Sequence, residues 1–161
     1  MPRSAIPLRL QLAALLFASG TALATTQAAA SPDAGVDALS RLSAADLDTT
    51  RPAGRAFLRT LFPNPAKTCG KPDTEHLPFD NLCNWWANPD SEEVYPDLMV
   101  AMNKSRIVSV VTVEPSRLNA GTWTCEKAAQ GQATVCFAKT IDAATGRRWS
   151  QAWHAYLSSV N

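Results

Sequence analysis

Histidine is scarce in this chain, with two residues in 161, and glycine is sparse too, with seven. His76 and His154 are therefore the sole imidazoles available to a catalytic triad or a metal site. There is no G-x-S-x-G elbow, no S-x-x-K, no H-E-x-x-H, no calcium-loop pattern and no glycine-rich phosphate cradle. The four cysteines include no C-x-x-C pair, so zinc weighs little against a disulfide framework. No apolar run reaches the ~20 residues a membrane-spanning helix needs. A formal net charge of +1 gives no general case for nucleic acid binding. Carboxylates offer no better case for catalysis: Glu92 and Glu93 are neighbours in sequence, whereas glycosidases set two acids on opposite sides of a bond. Asp73, Glu75 and His76 would make at best a weak metal site, and a solvated loop of mixed charge explains them equally well. Enzymatic function is thus unsupported, and no metal or cofactor is implied.

The amino terminus is more informative. Arg3 and Arg9 precede the apolar run from Leu12 to Ala18, and Ala22-Leu-Ala24 supplies the small residues of a cleavage site. These are the three parts of a secretory signal. Residues 1–24 are expected to be a signal peptide cut after Ala24, with Ala30 as second choice. Residues 25–35 form a flexible leader, and 36–161 a single disulfide-stabilised domain. Loss of Arg3 and Arg9 leaves 13 basic residues against 14 acids, a formal charge of −1. The expected address is the periplasm or the medium, where an even number of cysteines implies two disulfides.

The fold class expected is α+β: N-terminal helices, a long disulfide-pinned loop, then a four- to five-stranded antiparallel sheet. Val36, Leu39, Leu42 and Leu47 recur near helical spacing, and Ser43-x-x-Asp46 resembles a capping box. Pro52 suits the first turn of a second helix running to Phe62, where Phe57 and Leu61 share a face and Arg55 and Arg59 share another. Residues 63–96 hold six of the eleven prolines and read as one irregular loop, a class of segment that is often functional. Beyond Asp97, Leu98–Met102 alternates, Asn103-Lys-Ser105 suits a tight connection, and Ile107–Val113 is rich in β-branched residues. Residues 121–127 and 133–141 read as a hairpin turning at Gln130-Gly131, which sets Cys125 opposite Cys136 and Trp123 opposite Ala138. That register favours Cys125–Cys136 and leaves Cys69–Cys83 to close the loop. The last segment fits two periods. Trp149, Trp153, Tyr156 and Val160 make a helical stripe, but the Thr145-Gly146 pair directly after a strand tips the reading toward another hairpin strand.

Charge is unevenly spread. Between Pro72 and Asn103 stand seven acids (Asp73, Glu75, Asp80, Asp90, Glu92, Glu93, Asp97) and no Lys or Arg. Phe79, Trp85, Trp86 and Tyr95 lie among them. Two adjacent tryptophans in a loop rarely both point inward, so one of Trp85 and Trp86 is the candidate for exposure, with Asp90, Glu92, Glu93 and Tyr95 beside it. The leading expectation is an exported, non-enzymatic binding protein of the cell envelope, of the inhibitor or immunity type. Its partner would be an extracytoplasmic hydrolase with a basic surface or cleft. Two alternatives stand beside it: a glycan- or peptidoglycan-binding or -acting protein using Trp149, Trp153 or Trp85, and a structural subunit of an envelope assembly.

Overall fold

The computed structural model describes residues 33–72, 77–88, 96–127 and 133–160. Its centre is a six-stranded antiparallel sheet in the order β1-β2-β3-β4-β6-β5. The strands are β1 Cys69–Gly70, β2 Asn81–Trp85, β3 Leu98–Asn103, β4 Arg106–Thr112, β5 Trp123–Lys127 and β6 Thr134–Ala138. Helices α1 (Asp33–Ser40) and α2 (Pro52–Leu61) cover one face, and α4 (Ala143–Ser159) covers the other; α3 (Pro65–Thr68) is a single turn leading into β1. The architecture is α+β, with six strands rather than four or five.

Both faces of the sheet are covered, so β3 and β4 are buried along nearly their whole length. Leu98, Val100 and Met102 face α1 and α2; Met99 and Ala101 face α4. The same division runs through β4, with one interruption. Ala101 pairs with Ser109 and Met102 with Ile107, leaving Val108 without a partner in a β-bulge. Val108 and Ser109 consequently both serve the α4 side. The β3–β4 turn uses Lys104 and Ser105 at φ 45° and 60°, the left-handed pair that matches a two-residue hairpin to the twist of its strands. Neither residue is glycine. The turn is held from outside: the Asp80 carboxylate accepts the Lys104 amide at 2.9 Å, and Thr49 donates its amide and hydroxyl to the Ser105 carbonyl at 2.8 and 2.7 Å.

The amphipathic spacing of α2 buries Phe57 and Leu61 and exposes Arg55 and Arg59, with Arg51 exposed at the cap before it. Gly54 lets this helix ride against the preceding loop. A Cβ there would lie 2.3 Å from the Asp46 carbonyl oxygen and 2.7 Å from that of Asp48. The Ser43–Asp46 box forms, with the hydroxyl of Ser43 donating to the carboxylate at 2.6 Å, but it closes a turn rather than opening a helix. Those Ser43 hydrogen bonds hold the Asp46 carboxyl below its ordinary range, and Thr50 does the same for Asp48.

Two expectations are corrected. Residues 63–96 are not one irregular loop, because β2 sits inside the sheet between β1 and β3, with Leu82 serving one core and Cys83 and Trp85 the other. The last segment is a helix, not a strand. The Asp142 carboxylate caps it by accepting the amides of Ala144 and Thr145, at 3.1 and 2.9 Å, and these bonds lower its pKa. Thr145-Gly146 therefore lies in the first turn of α4, not in a hairpin. Trp153 and Leu157 are buried against the sheet, and the Trp153 indole donates to the buried Ser109 hydroxyl at 3.0 Å.

The disulfides are Cys69–Cys83 and Cys125–Cys136, and each joins residues directly opposed on neighbouring strands. Two such crosslinks fit a protein of an oxidising, extracytoplasmic compartment. Among the described residues no helix is long and apolar enough to cross a membrane.

Candidate functional site

The two adjacent tryptophans part company at the end of β2. Trp85 is 7% exposed and packs under α1, where Gly35 permits the approach; a Cβ at that glycine would meet the indole at 2.9 Å. Trp86 is half-buried and turns to the α4 side. There it borders a hollow of about 120 Å³ with Asn84, Pro96, Met99, Tyr156 and Val160. Asn84 and Tyr156 also border a second hollow, of about 360 Å³, whose far wall is the α3–β1 strand entry with Lys67 and Lys71. The two share these residues and form one groove along the α4 side of the sheet edge. Among the described residues its Trp86 end is aromatic and uncharged, and its far end is basic.

Alternation along β2 builds this groove. Leu82 and Asn84 face α4, while Asn81, Cys83 and Trp85 face α2 and α1. Beyond Cys83, β1 has ended, so Asn84 stands at an edge where no further strand covers it. Its amide oxygen is nonetheless buried and has no hydrogen-bond partner. An orphaned buried acceptor costs roughly 1–3 kcal/mol, and the residue that carries it lines both hollows.

The acidic segment is tied to the same corner. The Asp97 carboxylate accepts the Ala87 amide at 2.8 Å, bringing together the chain on either side of residues 88–96. Asp97 and Asp80 therefore each hold a backbone amide in the fold. Of the remaining acids, Asp90, Glu92 and Glu93 lie outside the described residues, as do Asp73, Glu75, His76 and the aromatic candidate Tyr95. Asn84, Tyr156, Lys67 and Lys71 are groove residues that sequence reasoning missed. Tyr156 belonged to a visible helical stripe, but nothing local in the sequence pairs that stripe with β2.

The other chemistry-bearing residues are absorbed by the core. Trp153 is fully buried, and Trp149 is half-buried with its ring 5.3 Å from Phe79, edge to face. Trp149 and Trp153 lie on a helix and do not share a strand face. His154 lies half-buried on α4, one residue from Trp153. No group of three or more His, Cys, Asp or Glu side chains converges among the described residues. Comparison with family models, curated proteins and solved structures finds no match to this chain.

Proposed function

We propose that the chain is an exported, non-enzymatic binding protein of the cell envelope, cut after Ala24 and working in the periplasm, which holds a protein partner with a basic surface or cleft. The partner class is an extracytoplasmic hydrolase restrained by an inhibitor or immunity protein. The observation that carries this reading is the Trp86 end of the groove. An aromatic ring there adjoins a buried, unpartnered amide oxygen at Asn84. A lysine or arginine of the partner supplies the missing donor while its aliphatic stem lies on the indole. Asp90, Glu92 and Glu93 follow in sequence between Asn88 and Pro96, a run of negative charge complementary to a basic partner. Lys67 and Lys71 at the far end repel the same group, which fixes the direction of entry.

The test is affinity capture from an envelope extract, identification by mass spectrometry, and titration of the purified partner. Trp86→Ala is expected to weaken binding about 30-fold, the ~2 kcal/mol of an aromatic anchor. Charge reversal by Glu92→Lys with Glu93→Lys should weaken it further and flatten its salt dependence. Equal affinity of all variants, at unchanged melting temperature, defeats the proposal.

A further inference from the structure

On the opposite face of the sheet, β2 borders a second cleft of about 430 Å³ between α2, the Phe62–Pro65 corner and the sheet edge. Its walls are Leu58, Phe62, Pro63 and Met102, with the Cys69–Cys83 disulfide at the back. The volume lies in the range of sites that take small ligands or single side chains, roughly 300–1,000 Å³.

Three polar groups interrupt the apolar lining. Arg55 and Arg59 stand one helical turn apart on its rim, both exposed. Neither pairs with an acid among the described residues, and the Arg55 guanidinium is steadied by donating to the Thr50 carbonyl. The third is Asn81, which lines the cleft and whose amide oxygen is buried just behind its surface without a hydrogen-bond partner. A ligand matching all three carries an apolar body, an N–H or O–H donor, and a negative charge within reach of two guanidinium forks.

We infer that this cleft is a binding site for a short peptide segment that sets a large apolar side chain beside a carboxylate. The apolar side chain fills the space between Leu58 and Met102. A backbone amide of the peptide donates to Asn81 Oδ1, and its carboxylate, from Asp, Glu or a chain terminus, meets Arg55 and Arg59. An ionised fatty acid would satisfy the apolar wall and the arginines but brings no donor for Asn81; a peptide brings one at every residue. The site is independent of the groove at Trp86, since it lies across the sheet and selects the opposite charge.

Selection of a displayed random heptapeptide library on the intact, disulfide-bonded protein tests this. Enriched peptides are expected to pair Leu, Ile, Met or an aromatic residue with Asp or Glu within two positions, or at the C-terminus. They should bind Arg59→Glu at least 10-fold more weakly, and Asn81→Ala about 5-fold more weakly, as measured by fluorescence anisotropy. Arg59 is exposed, so its reversal leaves the core intact, and the melting temperature of each variant is read alongside. The inference is overturned by failure to enrich any peptide, by enriched peptides without an acid, by either variant binding the peptides as tightly as the unaltered protein does, or by oleate displacing a fluorescein-labelled enriched peptide more effectively than the same peptide unlabelled. Trp86→Ala should leave peptide affinity unchanged, which separates this site from the partner groove.

Discussion

Removing a single hydroxyl from the middle of the sheet should loosen α4. Ser109 is completely buried; its Oγ donates to the Cys136 carbonyl at 2.9 Å and accepts from Trp153 Nε1 at 3.0 Å. Trp153 is equally buried, so in Ser109→Ala its N–H has neither protein acceptor nor water. That orphaned donor costs about 1–3 kcal/mol, and the lost bond to Cys136 adds about 1 kcal/mol. The expected loss is therefore about 2–4 kcal/mol. A chain of 161 residues with an unfolding entropy near 2.1 cal/mol/K per residue would show a drop in Tm of about 6–12 °C. The assay is urea denaturation followed by far-UV circular dichroism, in a double-mutant cycle with Trp153→Phe. With phenylalanine at 153 no N–H remains to be orphaned, so Ser109→Ala should cost only about 1 kcal/mol there, a coupling of about 1–3 kcal/mol. A cost below about 0.5 kcal/mol in the native background, or the same cost in both, would refute the docking of α4 through this network.

Three further outcomes follow from the packing and the charges. Gly54→Ala should destabilise by about 1–3 kcal/mol despite alanine's better helix propensity, because the new methyl meets two backbone carbonyls; a gain in Tm would show that α2 does not ride on residues 46–48. Replacing Cys125 and Cys136 by serine should cost about 3 kcal/mol, the entropy of freeing a loop of sequence separation 11, and the Cys69/Cys83 pair, at separation 14, should cost about the same; midpoint denaturant concentrations read both. The pKa values of Asp46, Asp48 and Asp142 are lowered in the fold, so the stability they add is fully present above the ordinary carboxylate value of 3.8 and is lost as pH falls through their lower folded values. The denaturation midpoint should accordingly be flat from pH 6 to about pH 4 and fall below it, and Asp142→Asn should make that fall shallower.

How much of this was legible in the sequence depends on how far apart the interacting residues lie. The β5–β6 hairpin was readable because strand alternation and a central turn set Cys125 against Cys136 and Trp123 against Ala138, the pairs the sheet contains. Helix α2 was readable from Pro52 and the four-residue spacing of its apolar side chains. Helix α4 was not, because its tryptophans satisfy periods of two and 3.6 together. The deciding feature was one side chain, Asp142, placed to cap the following amides. Strand β2 was hidden by Asn81 and Asn84, polar residues whose positions make sense only once the strand is known to be covered on one side by β1 over just two residues, Leu82 and Cys83. The site followed the same rule. The divergence of Trp85 and Trp86 was visible locally, whereas the meeting of Asn84 with Tyr156 joins β2 to the far end of the chain.

The bulge at Val108 sets where the gene can lose a codon. Outside the bulge pair Val108 and Ser109, deleting one residue of β4 inverts every later side chain, exchanging the α2-facing set for the α4-facing set. Val108 is the surplus member of its strand, unmatched by anything on β3. Without it Ile107 would run directly into Ser109, and Val110 and Val111 would still face the cores they face now. Only the burial of one valine would be lost. Loss of Ser109 would keep the same register but would strip the Trp153 indole of its acceptor, so a shortened β4 that keeps its stability should be missing Val108.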